Sequence, residues 1–199
     1  MGFSKKPKVL LASVIALIVL ISIAAWYFQP WRLFTVTSVV ESIPTTSALS
    51  SKEAIPPKAS KSLGSDQDDL GVAAGEEEIS QYPIVLAAGS LITHEHATTG
   101  SVRIVELETG ERFLRLEGLN TSDGPQLEVW ITDAPVIEGL DGWRVFDDGK
   151  FLSLGPLKGN RGDQNYEIPA GVDLSDFTSV SIWCVRFAVS FGAAELVGS

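Results

Sequence analysis

Cysteine, methionine and histidine are close to missing: the 199 residues include one cysteine, one methionine and two histidines. A lone cysteine, Cys184, excludes a disulfide within the chain, a Cys-x-x-Cys pair and a Cys-x-x-Cys-His haem attachment. Two histidines are too few to close a tetrahedral zinc site by themselves. The only methionine, Met1, precedes the first apolar run and is no axial ligand for a domain beyond it. No Gly-x-Ser-x-Gly elbow, phosphate loop or His-Glu-x-x-His motif occurs, so nothing points to a stand-alone enzyme. Positive charge is scarce as well. Residues Gln81 to Ser199 carry 17 acidic and 8 basic side chains, a net −9 out of the whole chain's −10. That balance argues against a nucleic-acid partner and against electrostatic docking onto anionic lipid.

What is present begins with an apolar run. Val9–Phe28 carries no charge over about 20 residues, or roughly 30 Å as a helix, enough to cross a lipid bilayer. Lys5, Lys6 and Lys8 precede it and Arg32 is the first positive charge after it. The positive-inside rule therefore predicts a single-pass protein of the cell membrane: residues 1–8 cytoplasmic, 9–28 a signal-anchor helix, the remainder extracytoplasmic. Trp26, Tyr27 and Trp31 suit the far interface. A cleaved signal peptide is the alternative, since Ser22-Ile-Ala24 offers small residues at a fitting spacing. No lipobox-like cysteine directly follows the run to accept a lipid. Residues 29–80 read as a flexible Ser/Pro/acidic linker, with Ile55-Pro-Pro-Lys58, Asp66-Gln-Asp-Asp69 and Glu76-Glu-Glu78 and no sustained apolar period.

Residues 81–199 can bury one core and read as all-β. Candidate strands are Ile84–Ile92, Ser101–Leu107, Arg112–Leu119, Leu127–Thr132, Phe151–Gly155, Asn165–Ile168, Ser179–Cys184, Phe187–Phe191 and Ala193–Val197, divided by Gly, Pro, Asn and Asp. Glu108-Thr-Gly-Glu111 is a hairpin signal, with Gly110 free to adopt a positive φ. Leu127, Val129 and Ile131 share one strand face, Glu128 and Trp130 the other. No segment here carries a long amphipathic helix. These features predict an antiparallel β-sandwich or jelly-roll-like barrel behind one transmembrane helix and a disordered linker.

Alternation places Val180, Ile182 and Cys184 on one face, which suits a buried cysteine acting as a small hydrophobe. An oxidising compartment normally pairs cysteines or eliminates them. Cys184 is therefore an inert core thiol, a redox or ligand group, or half of an intermolecular bridge. Phe187, Val189 and Phe191 have switched parity relative to Cys184, so a bulge or turn must intervene. A bulge at Val185–Arg186 would bring the thiol to an edge. His94 and His96 would share a face if their segment were a strand, and with Cys184 would give a His2Cys copper-like set. The plainer role for His96 is a hydrogen bond at the strand end.

Three segments together resemble the DM-thirteen domain family. They are His96-Ala-Thr-Thr-Gly100, the run Gly155-Pro-Leu-Lys-Gly-Asn-Arg-Gly-Asp-Gln-Asn-Tyr-Glu-Ile-Pro169, and Val172-Asp-Leu174 followed by Ser179–Cys184 and Phe187–Ala193. The resemblance covers about Tyr82–Val197. It implies an all-β extracellular domain with a signature cysteine, Cys184, and a redox role through that thiol or through a prosthetic group such as haem. Read from the residues themselves, Cys184 and His96 are the candidate haem ligands. Gln126 departs from the family pattern, which more often carries Asp there. Two functions follow. One is a membrane-tethered electron-transfer or thiol-redox accessory with an extracytoplasmic redox partner. The other is a non-catalytic binding or envelope-organising sandwich in which Cys184 packs.

Overall fold

The computed structural model describes residues 6–44 and 82–198. Its first element, α1 (Lys6–Phe28), contains the stretch Leu10–Phe28, with a mean hydropathy of 2.5 and no part buried against the rest of the chain. By length and composition this helix can cross a membrane, a property that a signal sequence shares. A 3-10 turn follows at Pro30–Phe34, with proline at its start where no N–H is needed. Strand β1 (Ser38–Val40) comes next.

The remaining strands are β2 (Ile84–Ser90), β3 (Ile92–Thr93), β4 (Thr99–Glu106), β5 (Arg112–Asn120), β6 (Leu127–Thr132), β7 (Phe151–Pro156), β8 (Arg161–Ile168), β9 (Ser179–Cys184), β10 (Val189–Glu195) and β11 (Val197–Gly198). One sheet runs β1-β8-β5-β4-β2-β11 and the other β3-β10-β9-β6-β7. Neither closes on itself, so the architecture is a sandwich and not a barrel. Pairing is antiparallel except between β1 and β8. The β4–β5 turn forms as its sequence suggests: Gly110 takes φ +82°, and its N–H donates to the Leu107 carbonyl at 2.9 Å.

Alternation fills the space between the sheets. Val102, Ile104, Leu114 and Leu116 from one sheet meet Val129, Ile131, Val180 and Ile182 from the other, all buried. The outer face of the second sheet is also covered. There Trp130 and Trp183 pack with Phe146 and Ala134 from the long β6–β7 connection. Trp130 stacks on Phe151 with ring centroids 4.1 Å apart, and its indole N–H donates to Glu128 at 2.8 Å. The tryptophans thus serve packing, as large amphipathic rings commonly do.

The expected flexible linker over 29–80 is too long at its start; residues 45–80 lie outside the described residues. Residues 35–42 are stitched to β8. Asn160 accepts the Thr37 N–H at 2.7 Å and donates to the Thr35 carbonyl at 3.2 Å and the Thr121 carbonyl at 3.0 Å. Glu41 takes Lys158 at 2.8 Å and the Asn165 N–H at 2.6 Å, while Arg115 donates to the Glu41 carbonyl. Close approach needs glycine: a Cβ on Gly162 would collide with the Val39 carbonyl. Composition alone reads this stretch as unstructured, because the groups that order it lie 74 or more residues away along the chain.

Candidate functional site

Cys184 ends β9, paired with Leu127 on one side and Val189 on the other. The residues Val185–Ala188 form a turn, with Ala188 at φ +46° and the Phe187 N–H bonded to the Cys184 carbonyl at 3.2 Å. This turn, and not a bulge at Val185–Arg186, accounts for the parity switch; β10 is one strand where two shorter ones were expected, with a register shift against β9 between Ser190 and Gly192. The thiol is therefore not carried to an edge. Cys184 is 0% exposed, and its Sγ–H donates to the Pro125 carbonyl at 3.2 Å. Burial pushes the thiol's pKa up, against weaker opposing effects from the Phe187 and Arg186 backbone N–H groups and the Arg186 charge. A thiol so placed is a poor nucleophile.

Pro125 has a second face. It lines a cleft of about 310 Å³ between the end of the sandwich and the start of the chain beyond α1. Apolar walls come from Phe28, Leu33, Phe187 and Phe191, and polar groups from Arg32, Glu95 and His96. Hence the thiol lies one residue behind the cleft and is not part of its lining. The junction is well joined. Phe28 stacks on Phe187 at 5.8 Å and 12°, and Arg186 donates to the Tyr27 carbonyl at 2.6 Å. Arg32 donates to the Gly124 carbonyl at 2.7 Å, with its Nε 3.7 Å from the Asp123 carboxylate. Gln126, where the family pattern favours Asp, is held at φ +57° and accepts from Arg186 at 3.1 Å.

The two histidines separate. Their segment is a bend beyond the end of β3, so the i, i+2 strand geometry expected for a metal grip does not arise. His94 is buried under the β6–β7 connection. Its Nδ1 is 2.9 Å from Ser190 Oγ and its Nε2 is 3.2 Å from the Ile137 carbonyl. Because that carbonyl can only accept, Nε2 is the nitrogen placed to carry the proton; Ser190 Oγ, beside Nδ1, also accepts from Ser181 at 3.0 Å and lies 3.1 Å from the Gly192 carbonyl. Both ring nitrogens are engaged, which corrects the idea of His94 as a free ligand. His96 instead faces the cleft, its ring centroid 4.0 Å from that of Phe191 and its Nε2 4.0 Å from a Glu95 carboxylate oxygen. Burial pulls both imidazoles below the usual histidine pKa, against a smaller raising effect from the Ile137 contact for His94 and from Glu95 for His96.

Among the described residues no three His, Cys, Asp or Glu side chains gather to hold a metal ion, and the copper-like set of His94, His96 and Cys184 is not assembled. Nor does a haem fit through Cys184, since its sulfur is sealed behind Pro125. His96 is the imidazole that faces open space. Sequence reasoning missed the cleft because half its wall comes from Phe28–Leu33, a region read as helix end and linker. It also missed the purpose of the Gly155–Pro169 run. There Asn160 clamps the preceding segment, and buried Gln164 accepts from the Lys158 and Gly159 N–H groups and the Tyr166 hydroxyl. Arg161-Gly-Asp163 lies within β8, where Asp163 pairs with Arg115 at 3.1 Å.

A protein-family model described as Electron transfer DM13 matches residues 90–196. No curated protein and no solved structure matches the chain.

Proposed function

Because the chain belongs to the DM13 family, described as electron-transfer domains, we propose that it is a membrane-tethered, extracytoplasmic electron-transfer module whose redox partner meets it at the cleft in front of Cys184. One observation carries this: the thiol bonds to the carbonyl of Pro125, a residue that lines the cleft. Cys184 then acts as a positioning residue. It fixes the Pro125 wall and the β9–β10 turn that bears Phe187, without contacting solvent. Electron transfer through a partner seated on that wall does not require a nucleophilic thiolate. Tethering is supported by the apolar length of α1 and by the lysines that precede it.

A second reading, a binding sandwich in which Cys184 only packs, is favoured by the thiol's complete burial and raised pKa. Film voltammetry of the full chain in lipid separates the two. With a redox carrier added to the film, the electron-transfer reading expects the carrier's reversible wave to shift when the folded chain is present, and that shift to shrink in Cys184→Ala while the fold persists. A carrier wave unchanged by folded full-length protein would leave the binding reading.

A further inference from the structure

We propose that the cleft binds the ring of a neutral, quinone-type carrier that enters from the lipid phase. This rests on the electron-transfer reading above and names the chemical class of its partner. The cleft lies where the chain leaves α1, and Phe28 and Leu33 form part of its wall. A ligand reaching it from the bilayer crosses no aqueous gap. Trp31, Leu33 and Phe34 on the adjoining 3-10 turn are 53%, 48% and 87% exposed. They offer an apolar track along which a tail can run back to lipid, as interfacial aromatic and aliphatic groups do.

Charge decides against an anionic ligand. The two charged groups of the lining are Arg32 and Glu95, and they cancel. Arg32 is already committed to the Gly124 carbonyl at 2.7 Å and stands 3.7 Å from Asp123. A carboxylate or phosphate head would therefore meet a cation already paired with Asp123 and would face Glu95. A carbonyl oxygen suits the site better. Half-buried His96 keeps a ring nitrogen whose nearest charged neighbour, Glu95, is 4.0 Å away, beyond hydrogen-bond reach. Phe28, Phe187 and Phe191 supply faces and edges for an aromatic or quinonoid ring. About 310 Å³ accommodates one substituted ring, at the lower end of small-molecule sites.

The test uses the full chain in phosphatidylcholine nanodiscs, titrated with a decyl-substituted benzoquinone and followed by tryptophan fluorescence, since Trp31 adjoins the cleft. Saturable quenching at one equivalent per chain is expected. His96→Phe keeps a ring on Phe191 but loses the N–H, and Phe187→Ala removes a wall; each should weaken binding at least tenfold. Palmitate, with a similar tail and an anionic head, should not compete. Quenching that rises linearly with quinone and is the same in both variants, with native circular dichroism, would overturn the assignment, as would equal displacement by palmitate. Saturable binding that leaves the quinone's own wave unshifted would overturn electron transfer and keep this site. A shifted wave for a water-soluble carrier without quinone binding would do the reverse.

Discussion

Replacing Asn160 by alanine removes one buried side chain that holds backbone groups from two distant segments. It takes the Thr37 N–H at 2.7 Å and gives to the carbonyls of Thr35 at 3.2 Å and Thr121 at 3.0 Å. Thr121 is buried, so stranding its carbonyl costs about 1–3 kcal/mol. Thr35 and Thr37 are exposed and can rehydrate, so each lost bond costs only about 0.5–1.5 kcal/mol. The first penalty falls on the sandwich. The other two, about 1–3 kcal/mol together, fall on the attachment of residues 35–42, a change of about 5–150-fold in its opening equilibrium. Hydrogen exchange of the full chain in nanodiscs reads this directly, with the Glu41 amide, 3.0 Å from the Asp163 carbonyl, as reporter. Thr37→Pro removes the donor from the segment side and spares the Thr121 bond. Both variants should speed exchange at residues 35–42. Unchanged exchange there in both would refute the claim that Asn160 latches the segment to the domain.

Other expectations follow from the same geometry. Gly162→Ala places a Cβ against the Val39 carbonyl at a backbone φ of +96°, so β1 should detach at a cost of about 1–3 kcal/mol, visible as faster exchange at Glu41. Cys184→Ala removes a methyl-sized group from a sealed site and should cost about 1 kcal/mol by urea denaturation; a loss above about 3 kcal/mol would contradict a simple packing contact. His94 has a folded pKa below its ordinary 6.5 because burial disfavours the cation. Below that pH the unfolded chain binds more protons than the folded one, so stability falls as pH drops from 6.5. Urea titrations at pH 7.5 and pH 5 should show the decline, and His94→Phe should lessen it.

Much of the fold was legible from strand alternation. Val180, Ile182 and Cys184 share an inward face, and Leu127, Val129 and Ile131 face them across the β6–β9 pairing. The hairpin at Gly110 followed from its turn chemistry. Three features did not follow, for separate physical reasons. Ser38–Val40 is too short to show a period and is ordered by Asn160, Arg115 and Gly162 from far along the chain. His94-Glu-His96 looked like a strand continuing from Ile92, but the segment bends, so the two imidazoles diverge. The switch in parity after Cys184 is equally compatible with a bulge and a four-residue turn. Only the turn keeps the thiol sealed, through the Pro125 contact. The candidate site shared this difficulty: Cys184 and His96 were visible as residues, whereas the cleft that His96, Pro125 and Phe187 form with Phe28–Leu33 exists only after distant parts of the chain meet.

Alkylation of Cys184 in the folded full-length chain at neutral pH tests the central claim most directly, that redox traffic meets the cleft while the thiol stays behind its wall. Mass spectrometry should find no adduct with a maleimide over hours in the native state and complete modification once urea opens the domain. Rapid native modification would mean an exposed, reactive thiol. It would contradict the Pro125-sealed geometry and move the chemistry onto Cys184 itself.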